Sequence, residues 1–236
     1  MYLSRLLLNP RSRQVQRELA NPYEMHRTLS RAMPNSPMHV ARNQEDVAGL
    51  LYRLDVHPQS GRLALLVQSQ TQPDWAFLSP KQVDSESNQT YLITNDPWQE
   101  EANPAVKAID LRIAAGQQLH FRLRANPTKR LSAGKGNKGK RVGIYDEEGL
   151  RTWLQRKAST GGFQVQSLRI SQDEKLVRQA AIKQQDRIHK LELFSVHFDG
   201  VLQVTDPTAF LTAVQTGIGS GKAFGFGLLS LAPVRG

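Results

Sequence analysis

Leu119-His120-Phe121-Arg122-Leu123-Arg124-Ala125 decides how this chain divides and what fold it takes. Leu119, Phe121, Leu123 and Ala125 alternate with His120, Arg122 and Arg124. Successive side chains of a β-strand point to opposite faces, so this alternation predicts a half-buried strand with a basic outer face. Gly116 stands just ahead of it and breaks the chain from what precedes. The strand thus opens a second half, and the order of elements on each side of it can be compared.

Upstream, the run MYLSRLLLNP is a short apolar stretch broken by Ser4 and Arg5. It reads as a first strand rather than a leader or a membrane span. Asn21-Pro22-Tyr23-Glu24 is a helix start, with Asn21 as cap, Pro22 at the first helical position and Glu24 completing a capping box. The helix is expected to run to about Met33, where Pro34 stops it. At 100° per residue Met25, Leu29 and Ala32 share an apolar face for the sheet. Tyr23, His26 and Ser30 share another, with Arg27 at its edge and Arg31 further round. A second strand includes Arg53 and Leu54, a third spans Leu63 to Gln70, and Pro58 and Gly61 turn between them. A short helix near Asp74 to Leu78, a polar stretch from Asp84 to Pro104 expected to loop out, and a strand from Val106 to Leu111 complete β-α-β-β-α-β.

Downstream, a helix is expected from Asp146 to Lys157, ended by Gly161-Gly162. Strands follow at Phe163 to Ile170 and Leu191 to Phe198, and Asp199-Gly200 signals a tight hairpin into Val201 to Val204. A helix from Asp206 or Pro207 to Gln215 and a strand from Leu228 to Leu231 close a unit of similar order. The fold class is therefore α+β, tandem ferredoxin-like (RRM-like) βαββαβ domains over residues 1–115 and 116–236. No sequence repeat links the halves, so the duplication rests on element order alone.

Lys plus Arg number 31 against 21 Asp plus Glu, a net charge of +10. Such a balance calls for a polyanionic partner, and without a basic amphipathic helix bearing a broad apolar face, nucleic acid is preferred to a membrane. No Cys is present, so disulfides and thiolate metal sites are excluded. His26, His39, His57, His120, His189 and His197 show no metal-ligand spacing, and no carboxylate cluster suggests two-metal catalysis. No metal and no cofactor is expected.

The stretch TKRLSAGKGNKGKR, residues 128–141, carries Lys129, Arg130, Lys135, Lys138, Lys140 and Arg141 with no acid. Fed by Arg122 and Arg124, it suits a phosphate backbone. Ser171 to Lys190, with Lys175, Arg178 and Lys183, is either a long basic hairpin or a disordered connection. Gly217 to Gly227 fails as a Walker A loop, because Thr216 replaces its first Gly and Ala223 its Ser or Thr. Gly219, Gly221 and Lys222 remain either a close backbone approach to phosphates or a turn packed on the first helix. His26, three residues after Tyr23 on a helix, suits proton transfer, so metal-free acid–base chemistry on RNA is the economical enzyme reading. Binding RNA without cutting it is the alternative.

Four stretches, MYLSRLLLNP, NPYEMHRTLSRAMP, FRLRANPTKR and GIGSGKAFGFGLLSLAP, resemble the type I-E CRISPR endoribonucleases of the CasE family across nearly the whole chain. The resemblance implies tandem ferredoxin-like domains and a bound CRISPR repeat hairpin cut once, without metal, at the 3′ base of its stem. It implies a catalytic His26, a partner Tyr23, and weakly Arg31 at the scissile phosphate. Arg27 and the basic and glycine-rich segments become RNA-binding elements. It also implies a protein that holds its crRNA product among the other subunits of Cascade, while the cysteine-free chain opening on a strand is expected in the cytoplasm.

Overall fold

The computed structural model describes residues 1–33, 49–79, 82–94, 102–131, 141–184 and 187–234, with side chains described outside 173–192. Two compact units emerge. The first holds Met1–Asp110, Ala180–Lys190 and Lys222–Gly225; the second holds Leu111–Gln179, Leu191–Gly221 and Phe226–Gly236. The expected cut at 115/116 thus lies a few residues inside the second unit, and two stretches of the C-terminal half join the first.

The first unit begins with β1 (Tyr2–Leu8), α1 (Arg13–Ala20) and α2 (Pro22–Ser30), and continues with β2 (Leu51–Val56) and β3 (Leu63–Ser69). A three-residue 3-10 turn, Ala76–Leu78, stands where the second helix was expected, before β4 (Ala105–Ala108). β1 lies antiparallel between β3 and β4, and β2 pairs with the far side of β3, giving the order β2-β3-β1-β4. This is the ferredoxin-like arrangement. Leu6, Leu8, Leu65 and Val67 of the sheet pack with Met25 and Leu29 of α2 and with Ala32 just past its end, the three residues assigned to one face from spacing.

α1 was not anticipated: its apolar face is only Val15 and Leu19, too little for a periodic signal. Its start is legible in hindsight from Ser12, whose Oγ accepts from the Val15 N–H. The junction also undoes the expected capping box. Asn21 caps α2 through its side chain, accepting from Tyr23 N at 3.3 Å. Its own N–H is spent on the Arg17 carbonyl at the end of α1. Glu24 pairs instead with Arg27 at 2.7 Å, and α2 stops at Ser30, three residues before Met33.

A buried carboxylate locks the helices. Glu18, 4% exposed, accepts from Thr28 Oγ1 at 2.6 Å, from Tyr91 OH at 2.6 Å and from Gln14 Nε2 at 2.9 Å. Burial raises its pKa and pushes the Tyr91 phenol well up, so three donors are needed to hold the group there. Of the stretch expected to loop out, Tyr91 and Leu92 are buried in the core, while residues 82–88 stay mostly exposed.

The second unit runs β5 (Gln118–Ala125), β6 (Thr128–Arg130), β7 (Arg141–Gly143), α3 (Glu147–Thr160), β8 (Phe163–Gln184) and β9 (Arg187–Val204) apart from their Ala180–Lys190 stretch, α4 (Pro207–Thr216) and β10 (Leu229–Pro233). β5 lies between β10 and β9, and the order β10-β5-β9-β8 repeats that of the first sheet. Asp146 and Asp206 cap α3 and α4. Trp153 of α3 stacks on Phe198 with centroids 5.8 Å apart, and Phe163 meets Phe210 edge-on at 5.6 Å.

Two expectations fail here. Asp199-Gly200 is not a turn but the middle of β9, with Arg122 opposite Asp199 and Phe121 opposite Gly200. A two-residue hairpin of that type needs left-handed backbone, whereas Gly200 stays extended. Glycine is required because a Cβ would strike the Ser167 carbonyl oxygen. Arg124 shares the face of Arg122 but is covered there and does not belong to a basic outer surface. It is 5% exposed, its Nε donates to Ser195 Oγ at 2.8 Å, and its guanidinium lies 5.2 Å from the Phe226 ring centroid. Ser171 to Lys190 follows the hairpin alternative, with residues 171–184 continuing β8 and 187–190 opening β9.

Asp84 supplies a test of the α1 junction. Ser87 Oγ at 2.7 Å, Glu86 N at 3.1 Å and Gln14 N at 3.0 Å all donate to its carboxylate. These hydrogen bonds lower its pKa from 3.8 to about 2. A depressed carboxylate contributes stability above its ordinary pKa that is lost as pH falls. Asp84→Ala should therefore lower Tm at pH 7, and the gap from the parent protein should close between pH 3.8 and about 2. Melting curves in acid that stay parallel would remove this role.

Candidate active site

The face of α2 left outside the core carries Tyr23 and His26, both half-buried. Beneath them stands Tyr52 of β2, only 2% exposed. Its hydroxyl lies 2.7 Å from the Pro22 carbonyl in the first turn of α2 and 3.1 Å from the Ala223 carbonyl, sharing one proton between them. Its ring stacks on His26, with centroids 6.4 Å apart and planes 23° apart. Ala223 belongs to a 3-10 turn, Lys222–Phe224, which packs on α2 and β2 within the first unit. Phe224 of that turn sits 6.3 Å from Tyr23, ring to ring. Gly225 closes the turn at φ +82°, and a Cβ there would come within 3.0 Å of Tyr52 Cε2.

Electrostatics single out His26. Its Nδ1 is buried without a hydrogen-bond partner among the described residues. Burial lowers its pKa from 6.5 to about 4, so the ring is neutral at physiological pH and can accept a proton. A buried polar atom left unpaired costs roughly 1–3 kcal/mol, and such costs collect at functional sites.

The remaining candidates are spread out. Arg31, the C-cap of α2, holds its guanidinium 4.5 Å above the Phe77 ring. Exposed Arg27 is paired with Glu24. In the second unit Arg122 binds Asp199 at 2.6 Å, Arg124 is interior, and Lys129, Arg130 and Arg141 lie exposed on β6 and β7. Gly219 and Gly221 take φ of +89° and +82°, and a Cβ at either would press on Trp153 or Phe226 at 3.1 Å. Their glycine identity thus has a packing cause within the second unit. Lys175, Arg178 and Lys183 fall on β8 where only the backbone is described. Lys135, Lys138 and Lys140 lie outside the described residues.

Tyr52 was missed, whereas the turn at Ala223 and Phe224 packs on α2, the second of the two readings of the glycine-rich run. Tyr52 reads in sequence as one more strand aromatic, and nothing local ties it to a residue 171 positions away.

Over residues 1–233 the chain matches the family described as CRISPR associated protein. A relative from Thermus thermophilus, CRISPR-associated endoribonuclease Cse3, is 37% identical over 239 residues, which is 99% of this chain and 100% of the relative. The CRISPR system Cascade subunit CasE of Escherichia coli is 37% identical over 136 residues, 54% of this chain and 64% of that protein. A solved structure of the endoribonuclease Cse3 bound to 19 nt RNA superposes with a TM-score of 0.77 at 36% identity, covering 99% of this chain and all of that one.

Gly225→Ala tests the packing of the turn under Tyr52. A left-handed non-glycine residue costs about 1–2 kcal/mol, or roughly 2–8 °C in Tm for a chain of this size. Gly61→Ala, at φ +65° with nothing within 4 Å of the new Cβ, incurs the backbone cost alone. Gly225→Ala should melt lower than Gly61→Ala, and equal melting temperatures would dismiss the Tyr52 contact.

Proposed function

Because this chain belongs to the type I-E CasE family of CRISPR-associated proteins, we propose that it cuts CRISPR repeat RNA with His26 as general base and Tyr23 as its partner. It is an endoribonuclease that processes CRISPR transcripts, binds RNA and works with Cascade. The observation that carries the residue assignment is the neutral, buried His26 beside Tyr23 on the uncovered face of α2.

RNA supplies its own nucleophile. Neutral His26 takes the proton of the 2′-hydroxyl, whose oxygen attacks the adjacent phosphorus in line. The P–O5′ bond breaks, leaving a 2′,3′-cyclic phosphate and an alkoxide that takes up a proton as the 5′-hydroxyl. The phenol of Tyr23 is the nearby O–H donor for that step, and Arg31 brings positive charge to the phosphate. No step needs a metal. Exposed Lys129, Arg130 and Arg141 engage phosphates of the bound RNA, since RNA hairpins are recognised largely by shape and backbone. The product stays bound as crRNA in Cascade, with the protein in the cytoplasm alongside the transcript.

The deciding experiment is single-turnover cleavage of a repeat hairpin in EDTA, against the same RNA with a deoxyribose 5′ to the cut. The first should be cut and the second bound intact; if neither is cut, the protein is a hairpin-binding subunit. His26→Ala should slow cleavage by about 10²- to 10⁴-fold with binding retained, and unchanged cleavage would reject His26. For the parent protein the rate at subsaturating enzyme should rise with pH through about 4 and then level off. A limb near 6.5 instead would mean that His26 titrates as an ordinary imidazole. Arg141→Ala should reduce the salt slope of binding by about 0.7–0.9 for every hairpin sequence alike.

A further inference from the structure

The ribbon of β6 and β7 carries an arrangement that the cleavage chemistry does not use. Arg130 stands directly opposite Arg141, and Thr128 opposite Gly143. Opposed residues of antiparallel strands point to the same face, as do residues two apart on one strand. One face of the ribbon therefore holds both guanidiniums, then Thr128 and the bare backbone of Gly143. Tyr145 folds back over that bare place: a Cβ on Gly143 would come 2.8 Å from its hydroxyl oxygen and 2.9 Å from Cζ.

The ring is fixed rather than adrift. It rests against Phe194, with centroids 4.7 Å apart at 56°, and Gln172 Nε2 holds the Tyr145 carbonyl at 3.0 Å. Yet Tyr145 remains 58% exposed, the one aromatic residue among the exposed large hydrophobics of the described residues. Like charges directly opposed on a ribbon destabilise it. Among the described residues Arg130 and Arg141 have no acidic partner, so an anion between them relieves that repulsion. Two residues separate the arginine row from the tyrosine row, about 7 Å along the strand, a span that one nucleotide bridges from phosphate to base.

We propose that Tyr145 is a stacking platform for the base of one unpaired nucleotide of the bound RNA, with Arg130 and Arg141 holding its phosphate. A base inside the stem has both faces covered by its neighbours, so only an unpaired nucleotide of the loop or flanks offers a free face. This rests on the RNA-binding reading and adds to it a single-stranded element recognised apart from the stem and apart from cleavage.

The test is binding of a repeat hairpin made uncleavable by one deoxyribose, intact and with each unpaired nucleotide in turn made abasic. Tyr145→Ala should weaken binding of the intact RNA about 5- to 100-fold, the usual effect of losing one base–aromatic stack. Tyr145→Phe, which keeps the ring and guards against a folding defect, should bind like the parent. At one unpaired position the abasic RNA should bind the parent protein as weakly as Tyr145→Ala binds intact RNA, and the two losses should not add. The proposal is overturned if Tyr145→Ala binds as tightly as the parent, or if every abasic substitution weakens both proteins by the same factor. Failure of the parent protein to bind even the intact hairpin would sink the RNA reading itself, which is a distinguishable result.

Discussion

One shared proton, held by the Tyr52 hydroxyl between the Pro22 and Ala223 carbonyls, fixes the relation on which the site depends. The first turn of α2 presents N–H groups that a cap can satisfy, and Asn21 does so. Tyr52 adds a tie from below at the same turn, while its ring supports His26 from the side. The apolar residues Met25 and Leu29, with Ala32 just past the helix end, hold α2 to the sheet by non-directional packing. Glu18, through Thr28, and Tyr52, through Pro22, supply directional restraints on opposite flanks. A net hydrogen bond is worth only about 0.5–1.5 kcal/mol, so these bonds contribute orientation more than stability.

Burial sets what His26 can do. An exposed imidazole near its ordinary pKa is part acid and part base at neutral pH. Half-buried against Tyr52, with Nδ1 unpaired among the described residues, His26 is held almost wholly as the base. The same burial is unfavourable to folding, since a polar atom lies out of water without compensation. Reactivity and stability therefore pull in opposite directions at this residue, and the packing around α2 carries the difference.

Much of this was legible in the chain, for reasons that also mark where legibility ended. The alternation from Leu119 to Ala125 and the Asn21-Pro22 start are local signals, and both gave their elements within a few residues. The order of elements then led to two ferredoxin-like sheets. What failed was whatever depends on partners remote in sequence. Alternation cannot tell that Ser195 and Phe226 cover Arg124 while leaving Arg122 outside. Asp-Gly reads as a hairpin until a neighbouring strand is seen to press on Gly200. His26 was singled out from its place on a helix three residues after a tyrosine, and Tyr23 as its partner by the family resemblance, whereas Tyr52 had no signal at all, its partner lying 171 residues on.

That separation has a bearing on how the protein is made. Residues Lys222–Gly225 belong to the first unit, although the rest of that unit's sheet and helices is encoded before residue 111. On a translating ribosome the N-terminal sheet can form early, with Tyr52 in place and one of its two carbonyl partners still unsynthesised. The tyrosine–histidine face then waits, roofless, through the synthesis of more than a hundred further residues. A chain released early would carry His26 and Tyr23 yet lack the turn that backs them, so the site is completed only when translation has passed Gly225. For an endoribonuclease, such an assembly order completes the packing around Tyr52 only after most of the second unit has also been made.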